Sequence, residues 1–216
     1  HPAPNVAPLA PLLADREIAG MAEIARIGGM HALISCDGKV FYEDGFRWAD
    51  GDIFNIFTFN WLQGSPTRVL SEPDSVVLAE SLARKYFGSE DPLGKTLLLE
   101  NTWPLKVTGV FRDLPANSHL YAEMIVPIGT AWKMLEFDYS NNWSYTNFHT
   151  YLRLEPEATI DSVMTQVDEV LAGIVPFDEH LDAHNRLDHL IDGQFLRRRI
   201  LFRRRLFLRK PKRRRQ

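Results

Sequence analysis

The residues whose types and spacing come nearest to chemistry lie late in the chain. His180, His184 and Asp188 fall at i, i+4 and i+8. On a helix they line one face, and histidine pairs at that spacing bind zinc. A metal-dependent hydrolase is the activity they would serve. No HExxH pattern accompanies them, although Glu179 precedes His180, and the stretch from Asp178 to Asp192 is predominantly polar. A solvated acidic segment is the simpler reading of it.

A second spacing, Gly88-Ser89-Glu90-Asp91-Pro92-Leu93-Gly94-Lys95-Thr96, looks like a phosphate cradle. A P-loop has four residues between its glycines, and this run has five. Glu90 and Asp91 would repel phosphate, and the run follows a helix and opens a strand, the reverse of a P-loop. It reads as a structural turn. No G-x-S-x-G elbow occurs, and no Ser, His and Asp spacing selects a triad. Cys36, the one cysteine, excludes an intrachain disulfide and reads as a small strand residue rather than a nucleophile. The sequence therefore selects no catalytic residue and no cofactor.

Charge narrows the classes further. The net charge is −3, but residues 197–216 carry 12 Lys/Arg and no acid. The other 196 residues keep 13 Lys/Arg against all 28 Asp/Glu, a net of −15. An acidic body argues against nucleic acid as a partner of the folded part. The apolar fraction of 45% is ordinary for a globular protein. No apolar run reaches the ~18 residues of a membrane span. The chain opens on His1 rather than Met, as a processed product or a fragment would.

The elements that must position any site follow from periodicity. Leu9 to Gly20 reads as a helix, and Met21 to Ile27 and His31 to Cys36 as strands. Asp37-Gly38 is a hairpin signal, with Lys39 to Glu43 returning and Phe46 to Asp50 continuing. Asp52 to Leu62 is aromatic-dense and reads as core packing beneath a loop. Ser75 to Leu78 suits a buried strand. Glu80 to Phe87 suits a helix, with Gly88 at the place of a left-handed cap. Asp91 to Gly94 is a turn. Thr96 to Leu99 and Leu105 to Phe111 read as strands, and Asn101 to Pro104 as the loop between them. Trp132, Trp143 and Tyr145 flank a polar loop, Asp138 to Asn142. Thr146 to Leu154 alternates as a strand, and Ile160 to Ile174 is the clearest amphipathic helix, ended by Pro176.

Three segments carry a family resemblance: Ser75 through Gly88, Asp91 to Lys95, and Val107 through His119. In that order and spacing the run resembles the MacB-like periplasmic core domain, the extracytoplasmic domain of ABC transporter permeases related to MacB, LolC/LolE and FtsX. Weaker likeness reaches Ile53 to Phe57 and Phe148 to Leu154, so roughly residues 10 to 175 are covered. The motif positions are Glu80, Leu82, Tyr86, Phe87, Gly88, Asp91, Pro92, Leu93, Gly94, Lys95, Gly109, Asp113, Pro115, Asn117, Ser118 and His119. The resemblance implies a structural rather than catalytic part for them.

It also implies an α+β fold: a porter-like α/β lobe from residues 9–50 and 146–176, interrupted by a strand-rich lobe over 51–145. Residues 1–8 are a flexible lead-in. The implied location is the extracytoplasmic, periplasmic face of the bacterial cytoplasmic membrane. The implied partners are the transmembrane part of its own permease and a cytoplasmic ATP-binding subunit, where ATP would be hydrolysed. A second permease copy and a periplasmic partner are further candidates. The implied work is mechanical, passing ATP-driven permease motion to substrate export or partner regulation.

Residues 177–216 depart from the family, which continues into a long apolar helix. Here only Ile200-Leu201-Phe202 and Leu206-Phe207-Leu208 interrupt the arginine clusters. One reading is a polybasic segment for anionic membrane or nucleic acid. The other is a frame-shifted or truncated gene end, without structure, and the abrupt loss of resemblance and, from Arg197 on, of every acid favours it.

Overall fold

In a computed structural model of the chain, residues 9–134, 136, 147–174 and 200–203 are described. Asp37 and Gly38 both take positive φ, 48° and 78°, as a type I′ hairpin turn requires. The turn joins β1 (Met21–Cys36) to β2 (Lys39–Ala49). The sequence suggests two strands separated at Gly28-Gly29, but β1 runs through as one strand of 16 residues. Here the glycines serve close approach rather than a turn. A Cβ on Gly28 would fall 2.6 Å from the Asn147 carbonyl oxygen, and one on Gly29 2.7 Å from Arg47 Nη1.

Six strands close a circuit. β1 pairs β2, and β2 pairs β7 (Met124–Pro127) in parallel. β7 pairs β4 (Ser75–Ala79), and β4 pairs β6 (Trp103–Phe111), again in parallel. β6 pairs β5 (Thr96–Leu99), and Ile34 and Ser35 of β1 pair Leu99 and Leu98 of β5. One edge of β1 thus follows β2. The other edge is shared between β5 and β8 (Phe148–Leu154), which pairs Met21 to Gly28. The short β3 (Trp61–Gln63) lies against β6. Segments 9–50 and 51–145 therefore share hydrogen bonds within a single sheet. The architecture is α+β, as expected from sequence.

Burial explains the patterns. All five residues of β4 are buried, because both faces of the strand are covered. Val76 and Leu78 join the core inside the circuit, while Val77 and Ala79 join a second core on its outer side. That second core is closed by α2 (Ile53–Ile56) and by Phe59 and Val69. Thr108 is skipped in the β4–β6 register, where Val76 faces Val107 and Val77 faces Gly109. This bulge lets Val107 and Val110, three residues apart, point into the same core.

A third core joins α1 (Leu9–Ala14), β8 and α5 (Ile160–Ile174) through Leu13, Leu152, Val163 and Val167. The α5 bounds match the periodicity. α1 is shorter than the predicted Leu9-to-Gly20 helix, because Asp15, Arg16 and Glu17 are exposed and offer no apolar face to bury. α4 (Ile128–Met134) follows β7 directly and packs Ile128 and Ala131 into the circuit's core. Ile200–Arg203 of the basic tail, for which the sequence predicts no structure, forms β9, parallel to β8.

Candidate functional site

The three motif segments meet at α3 (Glu80–Phe87), which packs Leu82, Ala83, Tyr86 and Phe87 onto the circuit's core. Its N-cap residue, Ala79, has no side-chain cap. Asp113, from the loop after β6, takes that office. Its Oδ1 accepts from Ser81 N at 3.0 Å and from Ser81 Oγ at 2.8 Å. At the other end Lys39 Nζ donates to the Tyr86 carbonyl oxygen at 2.5 Å, a cation on the last turn. In the middle, Glu43 of β2 is buried at 4% exposure. It accepts from Lys85 Nζ at 2.8 and 3.0 Å and from the Tyr86 hydroxyl. Burial first, then the Glu43 carboxylate, pushes the Tyr86 hydroxyl far above the usual phenol range. α3 is thus pinned to β2 and to the loop after β6 at once.

Gly88 ends the helix with φ 64° and ψ −120°, positive in φ but outside the left-handed helical region that the sequence suggests. The Asp91-to-Lys95 turn then returns the chain to β6. Leu93 N donates to Asp91 Oδ1 at 3.1 Å, and Gly94 N donates to the Val107 carbonyl at 2.8 Å. Lys95 pairs with Glu90 and lies over the Phe87 ring at 5.3 Å. A lysine engaged with its own carboxylate and an aromatic face does not serve a phosphate cradle.

The third motif segment ends at a cleft of about 900 Å³. Ser118 N closes a turn on the Pro115 carbonyl at 2.8 Å, and Ser118 Oγ accepts from Leu120 N at 3.1 Å. His119 then lies 5.8 Å from the Phe57 ring and 5.9 Å from the Tyr151 ring. His149 and Tyr151 of β8, Arg47 of β2 and Tyr121 add to the polar lining, with His31, Asp44 and Asn147. Burial, aided by Arg47 and His119, lowers the His149 imidazole below its usual value. Burial alone pushes the Tyr151 hydroxyl up to about 12. Arg47 Nη1 donates to the Asp44 and Phe46 carbonyls at 3.0 and 2.6 Å, and its guanidinium lies 5.5 Å from the Tyr121 ring.

Of the residues singled out from sequence, Glu80 to Lys95 and Gly109 to His119 fall in this assembly. His180, His184 and Asp188 lie outside the described residues, as do Trp143 and Tyr145. Among the described residues no group of His, Cys, Asp or Glu could hold a metal ion. Cys36 is buried, and burial raises its thiol, which disfavours the thiolate. Arg47, His149 and Tyr151 are not singled out by sequence reasoning. Their one signal is the alternation of β8, which puts His149 and Tyr151 on the face opposite Thr150 and Leu152. No helix among the described residues is long and apolar enough to cross a membrane.

No curated protein matches the chain. Solved structures do. A domain of a permease protein from Porphyromonas gingivalis is 26% identical, with a TM-score of 0.70, over 82% of this chain and 74% of that one. The periplasmic region of MacB from Actinobacillus actinomycetemcomitans is 18% identical, with a TM-score of 0.61, over 80% and 75%. The extracellular domain of the noncanonic ABC-type transporter YknZ from Gram-positive bacteria is 16% identical, with a TM-score of 0.56, over 75% and 80%. The last two share the fold. The family model for the MacB-like periplasmic core domain matches residues 4–170. On that match the chain belongs to the MacB-like periplasmic core domain family, a non-catalytic, extracytoplasmic domain of ABC transporter permeases at the cytoplasmic membrane.

Proposed function

We propose that this domain couples ATP-driven motion of a permease to events outside the membrane, either export of a substrate or regulation of a partner. Residues 9–50 and 146–176 form the lobe that receives motion from the transmembrane part of the same permease. Residues 51–145 form the lobe that delivers it. ATP is hydrolysed on a separate cytoplasmic subunit. A second permease copy and a periplasmic partner are the surfaces on which the motion acts. The motif residues from Glu80 to His119 serve as a rigid joint and take no part in bond chemistry.

The observation that carries this reading is the pinning of α3. Glu43, from the receiving segment, holds Lys85 and Tyr86, while Asp113, from the delivering segment, holds Ser81. α3, itself part of the delivering segment, is thus fixed within that segment by Asp113 and tied across to the receiving segment by Glu43, so displacement of the receiving segment is passed on through the helix. The two-residue hairpin turn and the unbroken β1 add stiffness to the same path.

The test uses the whole permease with its ATPase, reconstituted in liposomes. Asp113→Ala and Tyr86→Phe are compared with wild type for ATP hydrolysis and for export or partner response. Coupling through α3 predicts hydrolysis within about twofold of wild type and a drop of about tenfold in the output. Unchanged output in both variants, at normal folding, rejects the joint.

A further inference from the structure

The cleft beside His119 holds hydrogen-bonding groups that the fold leaves unused. Tyr151 is 4% exposed, and burial is the sole influence on its hydroxyl, which has no hydrogen-bond partner among the described residues. His149 Nδ1 is enclosed and equally without a partner. The two residues are two apart on β8 and so share a face. Arg47 commits Nη1 to two main-chain carbonyls and keeps Nε and Nη2. Two carboxylates, Asp44 and Glu123, stand near Arg47, each with one oxygen in a polar contact. Asp44 Oδ1 lies 2.7 Å from His31 Nδ1, and Glu123 Oε2 accepts from the Tyr121 hydroxyl at 2.9 Å.

Groups with unused hydrogen-bonding capacity, Arg47, His149 and Tyr151, therefore line one cleft, in a chain whose residues 1–196 are acidic overall. A buried polar group without a partner is a place where a ligand gains by supplying one. Ile27, Leu114 and Leu120 add apolar surface to the lining, beside the polar His31, Asp44, Ser118 and Asn147. The volume of about 900 Å³ falls in the range of small-molecule sites, roughly 300–1,000 Å³, and exceeds what an inorganic anion would fill.

We propose that this cleft binds an anionic amphiphile, its carboxylate or phosphate monoester held by Arg47, Tyr151 and His149 and its aliphatic part laid against Leu114 and Leu120. A neutral imidazole, favoured by the burial of His149, still donates from one nitrogen. The inference stands on the cleft alone and can fail while the coupling reading holds. The shared chemistry has two sources, a soluble amphiphile and a membrane lipid headgroup.

The experiment is calorimetric titration of the whole 216-residue chain with decyl phosphate and with decanoate, each below its micelle concentration. Decyltrimethylammonium and inorganic phosphate are the comparison ligands. Saturable one-to-one binding of the two anionic amphiphiles is expected, weakened about tenfold or more by Arg47→Gln and severalfold by Tyr151→Phe. Tyr151→Phe removes one oxygen and keeps the ring packing, so its effect is not one of misfolding. Equal binding of the cationic amphiphile, equal binding of inorganic phosphate, or indifference to both substitutions would each overturn the proposal. So would the absence of saturable binding. Co-sedimentation with phosphatidic acid vesicles that both substitutions weaken assigns the source to the lipid headgroup. Binding of decyl phosphate without such co-sedimentation assigns it to a soluble amphiphile.

Discussion

Asp113 Oδ1 accepts both the main-chain N–H and the hydroxyl of Ser81, at 3.0 and 2.8 Å. A residue 32 positions away thereby caps a helix whose own N-cap, Ala79, has no side chain able to do so. Asp113→Ala should cost about 1 kcal/mol, the usual value of a lost cap. In a domain of this size that lowers Tm by about 2–4 °C. Asp113→Asn keeps an acceptor and should recover most of the loss. Calorimetric scans of both variants check it, and equal Tm for Asp113→Ala and wild type would refute the capping role.

Glu43 sits at 4% exposure with Tyr86 and Lys85 as its donors. Tyr86→Phe leaves that carboxylate one donor short in a buried site, a loss of about 1–3 kcal/mol. The same deletion at Tyr42, which is 73% exposed, should be neutral. Urea unfolding of the two variants at an unchanged slope measures the contrast.

Stability should fall at alkaline pH. Burial and Glu43 raise the Tyr86 hydroxyl, burial raises Tyr151 to about 12, and the Glu123 carboxylate raises Tyr121. An unfolded tyrosine ionises near pH ~10. Above that pH the unfolded chain releases protons that the folded chain retains, which favours unfolding. The tyrosine contribution is therefore whole below about pH 10 and declines above it, through about 12 for Tyr151. Urea midpoints across that range check the decline, and Tyr151→Phe should make it shallower. A flat profile would contradict the burial of these hydroxyls.

Gly109 lies where β6 is crossed by the chain after β3. A Cβ there would stand 2.8 Å from Val69 Cγ1, 3.1 Å from Trp61 Cζ3 and 3.2 Å from the Gln63 carbonyl oxygen. Gly109→Ala should cost about 1–3 kcal/mol through overpacking. Gly129→Ala, where a Cβ meets nothing within 4 Å, sits in α4 and should be neutral or stabilising by up to about 1 kcal/mol. Denaturant midpoints that rank the two the other way would show that the crossing can relax.

Elements set by neighbouring residues were legible in the sequence. The Asp37-Gly38 turn, the β4–α3 passage and the amphipathic α5 are each decided within a few positions by turn chemistry or periodicity. The closed circuit was not legible, because the parallel β2–β7 and β4–β6 pairings join segments far apart in sequence. β7 has four residues and α2 has four, too few for a period to declare itself. Gly28-Gly29 reads as a break, yet it marks close packing against Asn147 and Arg47. The motif joint was visible because its residues cluster between Glu80 and His119. The cleft was not, since Arg47, His119 and His149 come from three distant segments and meet only after the sheet has closed.

The six-stranded circuit leaves few open borders. Within it, every strand has a hydrogen-bonded neighbour on both sides along part of its length, which shortens the flanks open to a strand added by another polypeptide. Among the described strands, open borders remain along β2 from Lys39 to Asp44, along the three-residue β3 and along β9, which lines β8 over Thr150 to Arg153. Outside the cytoplasm, where unfolded and partly folded chains pass close by, such closure guards the domain against runaway strand-to-strand aggregation. It also directs any partner toward side chains rather than backbone.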